Sequence, residues 1–158
     1  MNLLRQLAKD VQLMLRRPAR LQFAALCFRL HGSTLQILLV TSRDTGRWVI
    51  PKGWPIKGKR AHEVAATEAF EEAGVKGKCQ RAPVGFYHYR KRMEHGLSIA
   101  CRVQIHPLEV TQLCRKFPEK GQRRLVWYDY QEAAMRVEEP SLRDQILAFG
   151  HRRDATAA

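Results

Sequence analysis

Apolar positions along this chain repeat with two periods, and the change of period marks its elements. In residues 1–19 the apolar set Leu3, Leu4, Leu7, Val11, Leu13, Met14 and Leu15 faces a basic set of Arg5, Lys9, Arg16 and Arg17. That pattern predicts an amphipathic helix that packs on the protein or on a partner. Two dense apolar runs follow, Leu21 to Leu30 and Leu35 to Thr41, around His31-Gly32-Ser33-Thr34. They read as a β-hairpin. Asp44-Thr45-Gly46 is a second turn, and Trp48-Val49-Ile50 is a short strand entering Pro51-Lys52-Gly53. A loop rich in Gly, Pro and Lys comes next. From about Ala61 the residues become strong helix formers, and Gly74 stands where a C-terminal cap would. Ala66, Ala69, Phe70 and Ala73 fall on one side of that helix, and their mostly small side chains let it lie close to a sheet.

Beyond the helix, Val75 to Lys78 reads as a basic turn. Cys79 to Arg92 and Leu97 to Ile105 read as strands joined by Glu94-His95-Gly96. Residues 107–122 read as a connection, Arg124 to Tyr128 as a strand, and Tyr130 to Arg136 as a short helix. Ser141 is the expected N-cap of a final helix reaching about His151, with 152–158 as a frayed tail. No internal repeat, linker or low-complexity tract interrupts residues 20–151, which therefore form one domain behind the 1–19 helix. Strands with helices on two sides predict an α/β (α+β) fold, a mixed sheet in an α/β/α sandwich.

Composition adds a charge signal. The 158 residues carry 28 Lys and Arg against 15 Asp and Glu, a formal net charge of +13. Such a balance points to an anionic partner: a polyphosphate, a nucleic acid or a membrane surface. No apolar run approaches the roughly 18 residues of a membrane span, so a membrane partner is not expected. Cys27, Cys79, Cys101 and Cys114 are widely spaced without a CxxC pair, as in a cytoplasmic protein with reduced thiols. The scattered histidines show no metal-ligand spacing. Tyr87 and Tyr89 alternate along one strand, as core residues or as a stacking face.

Against this basic background, Glu68, Glu71 and Glu72 share one face of the predicted helix near its negative end. Three like charges there repel one another. Either they form a solvated acidic face, or a hard divalent cation with oxygen ligands, Mg²⁺ or Mn²⁺, relieves the repulsion.

The stretch Gly53 to Val75, GWPIKGKRAHEVAATEAFEEAGV, resembles a Nudix box, G-x5-E-x7-R-E-U-x-E-E-x-G-U with U aliphatic. Gly53 fits the first Gly. Glu68, Ala69, Glu71, Glu72, Gly74 and Val75 fit the last part. Lys59 stands in place of the first Glu and Thr67 in place of the Arg, two side chains that in the family form an ion pair bracing the box. Both partners of that pair are therefore absent, with no orphan charge left over. With Thr41 to Gly53, Val75-Lys76-Gly77 and Gly121 to Val137, the resemblance extends over roughly 20–150 to diphosphoinositol polyphosphate phosphohydrolases. That subgroup also includes enzymes acting on diadenosine polyphosphates. It implies the Nudix fold, with a catalytic loop and helix in the sandwich, and a backbone carbonyl of Gly53 among the metal ligands.

The residues themselves suit phosphoanhydride hydrolysis in an anionic small molecule. Glu68 and Glu72 are the first candidate ligands for Mg²⁺, with Mn²⁺ as an alternative, and Glu71 is a further ligand or the water-activating base. Candidate phosphate contacts are Arg47 and Lys52 beside the loop, Lys57, Lys59 and Arg60 within it, and Arg90, with Lys91 and Arg92, at a strand tip. The charge permits RNA, but no aromatic–basic RNA motif favours nucleic acid. Other readings are a Nudix enzyme on nucleotide sugars, nucleoside triphosphates or RNA 5′ ends, and a non-catalytic Nudix-fold module that binds an anion.

Overall fold

The computed structural model describes residues 3–8 and 18–157. Residues 3–8 are helical and expose Leu3, Leu4 and Leu7; the rest of the predicted 1–19 helix lies outside the described residues, except for 18–19, which are not helical. The strands are β1 (Arg20–His31), β2 (Thr34–Thr41), β3 (Trp48–Val49), β4 (Lys52–Gly53), β5 (Val75–Cys79), β6 (Gly85–Arg92), β7 (Ser98–Leu113) and β8 (Leu125–Asp129). The helices are α1 (Ala61–Ala73), α2 (Tyr130–Arg136) and α3 (Pro140–Ala157).

All eight strands join one sheet, with the path β3-β2-β1-β7-β5 and with β4, β6 and β8 paired to β1, β7 and β2. Only β1 and β7 run parallel, so the sheet is mixed. The centre of β1 is apolar on both faces because both faces are covered. Ala24, Leu26 and Phe28 point into a core with Tyr130, Leu142, Ile146 and Phe149 from α2 and α3. Ala25 and Cys27 point the other way, against Ala65, Ala69 and Ala73 of α1. Alanines at i, i+4 and i+8 bring α1 close to the sheet. The packed stripe is thus Ala65, Ala69 and Ala73, whereas Ala66 and Phe70 are only partly buried.

Four expectations change. Val75 to Lys78 is an edge strand, β5, rather than a turn; its exposed Lys76 and Lys78 suit an edge that must not pair further. The predicted 107–122 connection begins as β7, which runs on to Leu113. Pro107 falls where the outer neighbour of β7 switches from β6, paired up to Ile105, to β5, paired from Leu108, so its missing N–H is tolerated. The strand expected from Cys79 is two: β5 closes at Cys79 and β6 opens at Gly85. The last helix starts at Pro140, a favoured first position, and continues to Ala157. Its end is tied down rather than frayed. The Tyr130 hydroxyl donates to Asp154 at 2.8 Å, and the Arg153 guanidinium lies 4.4 Å from the Phe28 ring centroid. Ser141, inside this helix, accepts the His88 N–H at 3.0 Å instead of capping.

Candidate active site

The loop and α1 place their acids by three local devices. First, β4 pairs Gly53 with Phe23 of β1, and the Ala25 N–H donates to the Pro51 carbonyl at 3.0 Å. This fixes Gly53 to the middle of the sheet. Second, α1 begins after Arg60, whose N–H donates to Glu63 Oε2 at 2.6 Å, half of a capping box. Third, α1 ends at Gly74, which has φ 67° and whose N–H donates to the Phe70 carbonyl at 2.9 Å. A Cβ at Gly74 would strike the Phe117 ring, so glycine is required there for space as well as for handedness. A Cβ at Gly53 would overlap the Glu68 carboxylate, so the glycine lets that acid lie directly on the strand backbone.

Glu68, Glu71 and Glu72 line one cleft of about 570 Å³ with Gly53. Glu72 is buried on the sheet side of α1, and Glu68 is half-buried. Burial pushes the Glu68 carboxyl up to about 7, with repulsion from Glu72 and Glu71 adding to it. Burial likewise pushes Glu72 up to about 7, against the opposing pull of Arg123 and Lys52. Both acids are thus charge-strained, and a cation between them would relieve that strain.

The rest of the lining is rich in cations. Arg43, Arg47, Lys52, Lys91, Arg92 and Arg123 all line the cleft. The Arg123 side chain is only 9% exposed; it donates to the Thr41 carbonyl at 3.0 Å, to Glu72 at 3.3 Å and to Glu119 at 3.1 Å. Arg43 pairs with Glu119 at 3.2 Å and Arg47 with the buried Glu139 at 3.1 Å. Lys52, Lys91 and Arg92 have no carboxylate partner among the described residues. Burial lowers the Lys52 amine to about 8, partly offset by Glu72. Two aromatic side chains sit among these cations. Lys52 Nζ is 5.0 Å from the Tyr89 centroid, and Lys91 Nζ is 5.2 Å from the Trp54 centroid.

The structure brings together Gly53, Glu68, Glu71, Glu72, Arg47 and Lys52, and it leaves four phosphate candidates outside. Lys57, Lys59, Arg60 and Arg90 do not line the cleft. Lys57 is exposed, and Lys59 donates to Thr67 Oγ1 at 2.8 Å. Arg60 stands at the N-terminus of α1, away from its acids. Arg90 donates to Ser98 at 3.1 Å on the strand face opposite Tyr89 and Lys91. Of the tyrosines, Tyr87 belongs to the core, while Tyr89 reaches the cleft and donates to Gln22 at 2.5 Å. Sequence reasoning missed Arg43, Glu119 and Arg123, which approach from turns distant along the chain. The dibasic Arg123-Arg124 before β8 was the available signal, and only Arg123 turns inward.

The comparisons with known proteins meet this geometry. The chain is 32% identical over 102 residues to Nudix hydrolase 12, mitochondrial, of Arabidopsis thaliana, covering 63% of this chain and 50% of that protein. It is 30% identical over 112 residues to human diphosphoinositol polyphosphate phosphohydrolase 3-beta, covering 70% of this chain and 64% of that one. In sequence the chain is thus similar to Nudix hydrolases. A Nudix hydrolase structure from Nitrosomonas europaea superposes with a TM-score of 0.64 at 18% identity, over 85% of this chain and 90% of that one. A C. elegans Ap4A hydrolase binary complex does so with 0.62 at 15%, over 87% and 99%. These two likenesses establish the Nudix fold, and no family model matches the chain. The chain spans between half and just under two thirds of the length of the Nudix relatives it matches first.

The donor set suits the divalent cation expected of a Nudix box. Among the described residues, no three His, Cys, Asp or Glu side chains already converge as a ready-made cage. The chemistry nonetheless fits: the donors are all oxygen, and two of the carboxylates are held near neutrality by burial. Glu68, Glu72 and the Gly53 carbonyl would hold the ion, with Glu71 beside them.

Proposed function

We propose that this chain is a divalent-cation-dependent hydrolase of phosphoanhydride bonds in a small anionic substrate. Mg²⁺ is the expected cation, and Mn²⁺ would substitute. The observation that carries the reading is the pairing, in one cleft, of the three α1 glutamates with a wall of six cations. Diphosphoinositol polyphosphates and dinucleoside polyphosphates are the first substrate classes. The sequence similarity to a diphosphoinositol polyphosphate phosphohydrolase and the structural likeness to an Ap4A hydrolase support that choice. Four free thiols, Cys27, Cys79, Cys101 and Cys114, support a reducing compartment such as the cytoplasm.

In this mechanism Glu68, Glu72 and the Gly53 carbonyl would hold the cation, which when bound would supply neutralising charge to phosphoryl oxygens and orient water. Lys52 and Arg47 hold the phosphate nearest the acids. Lys91 and Arg92 hold the more distant ones at the mouth of the cleft. As water oxygen bonds to phosphorus, a carboxylate oxygen of Glu71 accepts its proton, unless Glu71 is itself a ligand. The bridging P–O bond breaks, and the leaving phosphate takes the electron pair while the cationic wall stabilises its new charge.

One contact favours a second reading. Arg123 already compensates Glu72 at 3.3 Å, as it would in a module that binds an anion without turnover. Phosphate release decides between the two. Diphosphoinositol polyphosphates, diadenosine polyphosphates, nucleotide sugars, nucleoside triphosphates and 5′-triphosphorylated RNA would be tested with Mg²⁺ and with Mn²⁺, with Glu72→Gln as the blank. Turnover of one class that vanishes in the blank supports the hydrolase. Tight binding of a class without turnover sinks it in favour of the module.

A further inference from the structure

The two departures from the Nudix box face each other. Lys59 Nζ donates to Thr67 Oγ1 at 2.8 Å, and the same hydroxyl donates to the Glu63 carbonyl at 2.8 Å. One hydroxyl thus uses its proton on its own helix and its lone pair on the loop. Glu63 in turn accepts the Arg60 N–H at 2.6 Å. Between Gly53, pinned to β1, and the first turn of α1, the loop is therefore fastened to the helix by a side-chain bond and by a cap. Thr67 directly precedes Glu68, whose carboxylate lies on Gly53.

We infer that Lys59 and Thr67 form a rebuilt brace, a positioning pair that holds the loop so that Gly53 and Glu68 stay in register. A neutral–cation hydrogen bond has taken the place of an ion pair. Neither residue touches substrate in this account, and Lys59 is not a phosphate contact. The inference rests on the reading of the cleft as a cation site.

The test uses Lys59→Met, Thr67→Val, the double variant and Thr67→Ser. Its readouts are Mn²⁺ affinity by electron paramagnetic resonance, amide exchange over residues 54–60, and kcat and KM on whichever substrate turns over. The brace predicts that each single variant weakens Mn²⁺ about tenfold and speeds exchange in the loop. It lowers kcat at unchanged KM. The double variant is no worse than either single, and Thr67→Ser behaves as the parent. Electrostatics alone predict the opposite sign for Lys59→Met, because removing a nearby positive charge tightens a cation. Tighter or unchanged Mn²⁺ binding in Lys59→Met would overturn the brace. So would additive single variants, or a higher KM in Lys59→Met alone. A parent chain that hydrolyses nothing would defeat the proposed function, and Mn²⁺ affinity and loop exchange would then judge the brace by themselves.

Discussion

The two walls of the cleft are built in opposite ways. The acidic wall comes from one helix, where Glu68, Glu71 and Glu72 are set by i, i+3, i+4 spacing and by a glycine that admits Glu68 to the strand. The cationic wall draws on separate places: Arg43 and Arg47 around the β2–β3 turn, Lys52 in β4, Lys91 and Arg92 at the end of β6, and Arg123 before β8. The acids are close together and partly buried, and Glu72 and Glu71 raise the cost of ionising Glu68. The cations are spread out, and half of them already lean on a carboxylate: Arg43 on Glu119, Arg47 on Glu139, Arg123 on Glu72 and Glu119. A concentrated wall suits one small cation. A distributed wall suits an extended anion.

That contrast can be broken at either wall. The largest effect is expected from Glu72→Gln, which keeps the shape but removes the charge: turnover falls by roughly 10³-fold, read as phosphate release, while the anion still binds. Lys52→Met comes next, with a loss of about 10²-fold in kcat/KM, because Lys52 adjoins Gly53 in the cleft and has no carboxylate partner among the described residues. Its amine, lowered to about 8 by burial, also sets a pH limit. As pH rises through about 8 the ammonium loses its proton and its hold on phosphate, so activity falls on the alkaline side. Lys52→Arg would carry that limb to higher pH.

A third effect concerns stability. Glu68 and Glu72 both have native values raised to about 7 from 4.5. The folded state therefore binds their protons more tightly than the unfolded state does. Their contribution to stability is full below about 4.5 and is lost as pH rises through about 7. The metal-free chain should melt lower at pH 8 than at pH 5.5, Mg²⁺ should recover the loss, and Glu72→Gln should flatten the dependence. Thermal melts at the two pH values check this. Smaller still is the mouth of the cleft. Lys91→Gln or Arg92→Gln should raise KM about fivefold at unchanged kcat, more at low salt than at high. Substitution of Lys57, which stands outside, should leave both constants unchanged.

The same contrast explains what was legible in the sequence. The acidic wall is local: a helix period, a capping glycine and three acids within five residues announce it without knowledge of the fold. The hairpin, the sandwich and α2 were readable for similar reasons, because apolar runs and turn residues lie side by side in the chain. The cationic wall depends on which strand ends meet, and a local reading drew in Lys57, Lys59 and Arg60 because they lie in the loop that leads to the acids. Arg90 was misplaced because its guanidinium is held by Ser98 on the neighbouring strand, a partner that lies eight residues away in the sequence. The end of α3 looked frayed from its composition, yet contacts from Tyr130 and Phe28 fasten it. Lys59 and Thr67 read as a missing ion pair because a hydrogen bond between unlike residues has no sequence signature.

The central claim is that both walls serve one ligand, an anion bridged to a cation. Its most direct test is the coupling between Mn²⁺ and an unhydrolysable imidodiphosphate, measured by calorimetry with their association in buffer subtracted. The account predicts that each tightens the other by at least about tenfold, and that Glu72→Gln abolishes this coupling while leaving the anion bound. Independent binding of the two, or coupling unchanged in Glu72→Gln, would contradict it.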